Sequence, residues 1–300
     1  MGQELPSAHG MMFESFAEIP LSNMHNAVVP VVVVSPETFR YIGTAFNISP
    51  SGVFVTAGHV IDEAIKVQAQ VPDSNIAVTW IGSGVGHDVQ DLVGGSLLVS
   101  SYTKFDEYHS DLALFRVAQG TQYSPFPLTC LKLSTRLPRV DEAISGAGYP
   151  KPAVESDSTT AETRTLTVVQ SLHFTPGKVT QVFEEQRDKI MLPGPGFETS
   201  ARFDSGMSGG PVFNEDGYVC GVISFSLPPD EEYSGHTSYA SLALVLYTMW
   251  ILDGAEDNEI AVYELAKQGI VGTDEFFDSA QPYKQDNGRL GVNFPPREFG

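Results

Sequence analysis

Apolar positions in this chain come in short runs broken by turn-forming residues, not at the three-to-four spacing of long helices. Phe46-Asn47-Ile48 and Val53-Phe54-Val55 flank Ser49-Pro50-Ser51-Gly52, which predicts a hairpin. Residues 112–117 form an apolar run that reads as a buried strand, with Asp111 at its head. Pro211-Val212-Phe213 and residues 218–225 flank Asn214-Glu215-Asp216-Gly217 and predict a second hairpin. Residues 76–81 are strand-like, and the glycine-rich stretch 82–86 after them reads as a hairpin loop. It lacks the full glycine spacing of a phosphate cradle, and no helix pattern follows it. The pattern alone gives an all-β chain of many short strands.

Two helical segments are expected besides. His59, just past the second strand of the first hairpin, falls on a short helical turn. Residues 240–252 read as a last strand running into a helix that packs on the body of the fold; at thirteen residues, with Ser241, Tyr247 and Thr248, they are too short and polar to span a bilayer. Beyond them, residues 258–267 read as a short helix capped by Asp257 or Asn258 and ended by Gly269. The rest of the tail, with Pro282, Pro295 and Pro296, reads as loop.

The candidate chemistry lies at the ends of these elements. Residues 206–211 are Gly-Met-Ser-Gly-Gly-Pro, preceded in the chain by Thr56-Ala57-Gly58-His59 and by Asp111-Leu112-Ala113-Leu114. A serine hydroxyl is a poor nucleophile near neutral pH and needs an adjacent base, which His59 would supply for Ser208. Asp111 would hold the imidazole in one tautomer and stabilise the imidazolium. Gly206 permits a turn that aims its own N–H and that of Ser208 at a developing oxyanion, so Gly206, Met207 and Ser208 form the expected oxyanion loop. The order His59, Asp111, Ser208 separates this constellation from hydrolases that carry the same three residue types in other orders.

With these motifs the chain resembles the trypsin- and chymotrypsin-like serine peptidases, and more closely their HtrA-like and short bacterial intracellular branches than the digestive enzymes. Gly43-Thr44-Ala45-Phe46 and Gly148-Tyr149-Pro150 extend the resemblance over residues 27–252. It implies two antiparallel six-stranded β-barrels with the active site between them: barrel one over residues 27–117, a linker over 118–134, and barrel two over 135–252. Residues 1–26 and 253–300 are extensions, the latter helical in part. A PDZ-type domain would need many more residues than the tail has. The resemblance implies a serine endopeptidase working through a covalent acyl-enzyme, with no cofactor. A silent peptide-binding module and an esterase are the rival readings; the intact serine motif favours catalysis, and the family's strand-edge groove favours peptides.

Two departures from the digestive enzymes matter. They carry Asp before the nucleophile, to pair with an N-terminus freed by cleavage; here that residue is Met207, and no Ile-Val-Gly-Gly stretch precedes the first barrel. Activation by N-terminal cleavage is therefore not expected. Either the oxyanion loop forms as synthesised, or an activating partner, for instance one from the same operon, orders it. By resemblance, Ser224-Phe225-Ser226 pairs with the substrate backbone and walls the primary pocket, and Arg202 stands at the position of its floor. Arg202 pointing inward would favour an acidic side chain. Pointing to solvent, it leaves Ala201 and Phe203 to shape an apolar pocket for an apolar or small residue, the preferred reading because an unpaired buried guanidinium is costly.

Composition narrows the setting. Three hundred residues at 42% apolar content suffice for one two-barrel unit with extensions. A net charge of −20 argues against nucleic acid and anionic membranes as partners. The two cysteines, Cys130 and Cys220, fit a reducing compartment, and the first 26 residues lack the apolar core of a signal peptide, so a cytoplasmic location is expected. The seven histidines are scattered, and neither His87-Asp88 nor Tyr108-His109 gives metal-ligand spacing.

Overall fold

In a computed structural model the described residues are 24–35, 39–83, 92–105, 110–118, 129–151, 154–160, 163–168, 171–227, 237–253, 258–286 and 289–294. A single helical turn, α1 (Met24–Ala27), leads into β1 (Val28–Val34), β2 (Phe39–Asn47) and β3 (Val53–Thr56). Helix α2 (Gly58–Gln70) follows, then β4 (Asn75–Ser83), β5 (Leu92–Lys104) and β6 (Ala113–Val117). These strands close antiparallel in the order β1-β2-β3-β6-β5-β4. The second unit contains β7 (Ala143–Gly148), the separate hairpin β8 (Val154–Thr160) and β9 (Thr163–Val168), and β10 (His173–Phe183). It continues through β11 (Gly196–Thr199), β12 (Pro211–Phe213), β13 (Val219–Leu227) and β14 (Thr237–Leu242). Six of these close in the order β10-β11-β14-β13-β12-β7. The fold is the chymotrypsin-like double barrel that the resemblance implies.

Both predicted hairpins form: Phe46 faces Val55 across the first, and Val212 faces Gly221 across the second. The loop after β4 is not among the described residues beyond Ser83. Each barrel has its own filling, with Phe54 stacked on Phe115 at 5.4 Å in the first and Phe197, Met207 and Ile223 in the second. A third cluster, including Phe46, Leu112, Leu133, Tyr149, Phe213 and Tyr247, joins the barrels. Burying side chains of this size gives about 1.5–3 kcal/mol each, so the two barrels are held as one body.

Four local expectations change. The short turn carrying His59 is a thirteen-residue helix, because Val60, Ile61 and Ala64 make an apolar face that packs on the first barrel. After β14 the chain makes a 3-10 turn, Ala243–Thr248, and then a strand, β15 (Trp250–Asp253), instead of one helix. Residues 258–261 are not helical: β16 (Asn258–Ala261) pairs with β15, and α3 is confined to Val262–Lys267. The tail is not loop throughout, since a 3-10 turn, Phe277–Ser279, precedes the hairpin β17 (Gln281–Lys284) and β18 (Leu290–Asn293). Asp274 ties this extension down, accepting hydrogen bonds from the Thr135 N–H at 2.7 Å, the Thr135 hydroxyl and the Ser134 hydroxyl at 3.3 Å. Phe277 and Phe294 pack on Tyr247.

Candidate active site

The loop joining β11 to β12 carries Ser208, and two glycines give it its path. Gly206 has φ +99° and Gly209 φ +86°, a region closed to most side chains. At Gly209 a Cβ would also run into the Thr44 carbonyl and the Thr56 hydroxyl. Backbone bonds then fix the loop to both barrels: the Thr44 N–H donates to the Ser208 carbonyl at 2.9 Å, and the Gly209 N–H to the Ile223 carbonyl at 2.8 Å.

His59 occupies the first turn of α2, and Asp111 sits two residues before β6. The Asp111 carboxylate receives the His59 backbone N–H at 2.9 Å on Oδ1 and lies 2.8 Å from His59 Nδ1 through Oδ2. A carboxylate only accepts, so Nδ1 carries the proton and Nε2 is left with a free lone pair. Burial disfavours the imidazolium, but the hydrogen bond and charge of Asp111, with a contribution from Asp62, outweigh it and raise the His59 pKa. Burial would raise the Asp111 pKa; the bonds from His59 and Ser224 turn the net shift downward. His59, Asp111 and Ser208 line one cleft of about 780 Å³. The Ser208 hydroxyl donates a long bond, 3.3 Å, to the Ser224 carbonyl.

Of the three expected oxyanion-loop residues, Gly206 and Ser208 have no acceptor for their N–H groups among the described residues. The Met207 N–H is spent on the Asp204 carbonyl at 3.0 Å, and its side chain is buried in the second barrel, so Met207 offers no donor.

The expected substrate-binding residues divide. Arg202 points to solvent, its side chain 60% exposed, and its Nε donates to Asp204 at 2.7 Å. Phe203 is buried beneath the cleft. Phe225 is exposed, and Ser226 shares a hydrogen bond of 3.0 Å with Ser238 across β13 and β14. Ser224 donates its hydroxyl to Asp111 at 2.5 Å. The pairing of β12 with β13 ends at Val222, while β14 continues beside Ser226 and Leu227. Residues 224–227 therefore have β14 on one edge and the cleft on the other.

Sequence reasoning missed several residues here. Lys104 pairs with Asp62 at 2.6 Å beside His59, and Ile190, 91% exposed, stands at the cleft rim with Met191. The Asp62 signal was its place one helical turn after His59, legible only once α2 is known to be a helix. The loop carrying Ile190 is shaped by Asp188, whose carboxylate accepts the N–H groups of Ile190 at 2.9 Å and Met191 at 2.7 Å.

The family model described as the Trypsin-like peptidase domain matches residues 43–222. No curated protein sequence matches the chain. Among solved structures, the active form of the Rv3671c protease from M. tuberculosis is 18% identical, with a TM-score of 0.45 over 74% of this chain and 78% of that one. Deg5 is 19% identical, with a TM-score of 0.44 over 75% of this chain and 91% of that one. The HtrA-type protease AlgW, solved with a decapeptide, is 14% identical, with a TM-score of 0.48 over 90% of this chain and 70% of that one. With 180 of its 300 residues inside the family's bounds and both barrels closed, this chain belongs to the trypsin-like peptidase family.

Proposed function

We propose that the chain is a serine endopeptidase in which Ser208 is the nucleophile, His59 the general base and acid, and Asp111 the group that fixes and stabilises the imidazole. The observation that carries this is the His59–Asp111 pair, which leaves Nε2 unprotonated in the cleft that holds Ser208. In the reactive arrangement the Ser208 hydroxyl leaves the Ser224 carbonyl and donates to Nε2. Oγ then attacks the scissile carbonyl carbon while Nε2 takes its proton. The oxyanion is received by the Gly206 and Ser208 N–H groups. His59 returns the proton to the leaving amine, an acyl-enzyme remains on Oγ, and water releases it through the same base.

The substrate lies extended along residues 224–227, adding a strand to the free edge of β13. Its primary side chain is small or apolar. Arg202 is turned outward and paired with Asp204, and the Ser226–Ser238 hydroxyl pair closes the wall beside Phe203. Activation does not use N-terminal cleavage, because the buried Met207 offers a freed amine no carboxylate. We take the peptidase unit to be residues 27–252. A content of only two cysteines suits the cytoplasmic setting we propose, and among the described residues no helix is long and apolar enough to cross a membrane.

The test is labelling with a fluorophosphonate, read by intact mass, beside Ser208→Ala. One adduct, absent from the variant, is expected. No adduct on folded protein would overturn the reading of a self-sufficient enzyme and leave a peptide-binding domain or an enzyme that waits for a partner.

A further inference from the structure

The hydrogen bonds of the nucleophile loop follow a pattern that assigns a task to β2. Every carbonyl from Ser205 to Ser208 has a donor: the Lys151 N–H at 2.8 Å for Ser205, the Tyr41 hydroxyl at 2.8 Å and the Thr44 hydroxyl at 2.9 Å for Gly206, the Gly210 N–H at 2.9 Å for Met207, and the Thr44 N–H at 2.9 Å for Ser208. Of the N–H groups from 206 to 210, those of Met207, Gly209 and Gly210 are spent. The two left over among the described residues are Gly206 and Ser208, the pair an oxyanion needs. A trans peptide points its N–H opposite its carbonyl, so holding the Ser205 carbonyl on Lys151 turns the Gly206 N–H to the other side.

We propose that Tyr41 and Thr44 are positioning residues that hold this loop with its two donors free, so that the oxyanion site is built by folding alone and needs no cleavage and no partner. The proposal rests on the peptidase reading above. Glycine at 206 allows its flanking peptides to flip easily; what opposes the flip of the Gly206–Met207 peptide is the pair of hydroxyls on its carbonyl, together with the Met207 N–H on the Asp204 carbonyl. Both hydroxyls are anchored in turn. Thr44 Oγ1 accepts the Tyr149 N–H at 3.0 Å, and the Thr44 carbonyl accepts the Thr56 hydroxyl at 2.7 Å. The Tyr41 proton is shared between the Gly206 carbonyl and that of Tyr149 at 2.6 Å, and burial pushes the phenol's ionisation far up, so it stays a donor.

The backbone of β2 makes this arrangement available. Residues three apart on a regular strand face opposite ways. Against β1, however, Gly43 pairs with Val31 and Tyr41 with Val32, which leaves Ile42 as an extra residue. That bulge brings Tyr41 and Thr44 onto one side, facing the Ser208 loop. Met207 adds an apolar plug where the digestive enzymes use an ion pair.

The experiment compares full-length wild type with Tyr41→Phe, Thr44→Val, the double variant and Thr44→Ser. Hydrogen exchange over residues 204–210 reads loop order without requiring activity, and the rate of fluorophosphonate labelling reads the assembled site. We expect faster loop exchange in Tyr41→Phe and Thr44→Val, with labelling and kcat each about tenfold lower and about a hundredfold lower in the double variant. KM for a peptide substrate should stay nearly constant, and Thr44→Ser should restore both readouts. Unchanged exchange with unchanged labelling in the double variant would overturn the proposal. Wild type that takes no adduct while its loop loses protection in the variants would sink the peptidase reading and keep the clamp.

Discussion

Ser224 donates its hydroxyl to Oδ2 of Asp111 at 2.5 Å, the same oxygen that faces Nδ1 of His59 at 2.8 Å. One strand therefore has two tasks under the proposed function: its side chain at 224 steadies the carboxylate, and its backbone edge beyond, unpaired with β12, receives the peptide. Ser224→Ala removes a bond to a charged, buried acceptor, worth about 1.5–3 kcal/mol. The Asp111 pKa should rise, and kcat/KM for a peptide substrate should fall roughly tenfold or more, with the fold intact by circular dichroism. Wild-type kcat/KM in this variant would show that His59 alone is enough to hold the carboxylate.

The pH dependence follows from the raised His59 pKa. The base must be neutral to take the serine proton, so kcat/KM should climb with pH through a midpoint above 6.5. Asp62 contributes to that rise. Asp62→Asn removes a negative charge that favours the imidazolium, and the acid limb should move to lower pH. Lys104→Ala strips Asp62 of its 2.6 Å partner, and the limb should move to higher pH. A pH profile in which both variants shift the same way would contradict this assignment.

Much of this was legible because the chemistry-bearing residues sit beside strong local punctuation. Ser49-Pro50-Ser51-Gly52 and Asn214-Glu215-Asp216-Gly217 set two hairpins, and the apolar stretches beside them could only be strands. The errors came where an element depended on a neighbour that was itself misread. Asn258-Glu259-Ile260-Ala261 is acceptable helix sequence, and it is a strand because β15 is there to pair with it. Helix α2 was underestimated although Val60, Ile61 and Ala64 carry its period. The task of Tyr41 depends on one bulged residue, Ile42, which no side-chain pattern announces.

Gly209 is a test of the loop's tolerance. Alanine there meets a φ of +86° and the Thr44 carbonyl together, and the Ala57 N at 2.9 Å lies just beyond. Strain of this kind costs about 1–3 kcal/mol before any clash is counted. Gly209→Ala should lower the midpoint of denaturant unfolding and abolish fluorophosphonate labelling. A variant of wild-type stability would mean that the loop can be re-laid without loss.

The C-terminal extension should contribute to stability. Asp274 is buried with donors from Ser134, Thr135 and Phe276, so Asp274→Ala leaves several polar groups without a partner at about 1–3 kcal/mol each. The melting temperature should drop by several degrees, and removal of residues 272–300, which also takes away Phe277 and Phe294, should lower it further. Truncated protein that melts and labels as wild type would show the tail to be dispensable.

The stitch between the Thr44 N–H and the Ser208 carbonyl has one more consequence. The attacking group sits on one barrel, its base and the hydroxyls behind it on the other, so the site exists only while the two halves are seated together. Loosening of that seam takes the site apart even while each barrel keeps its own filling. For a peptidase of the kind proposed, wear then leads to silence and not to indiscriminate cutting.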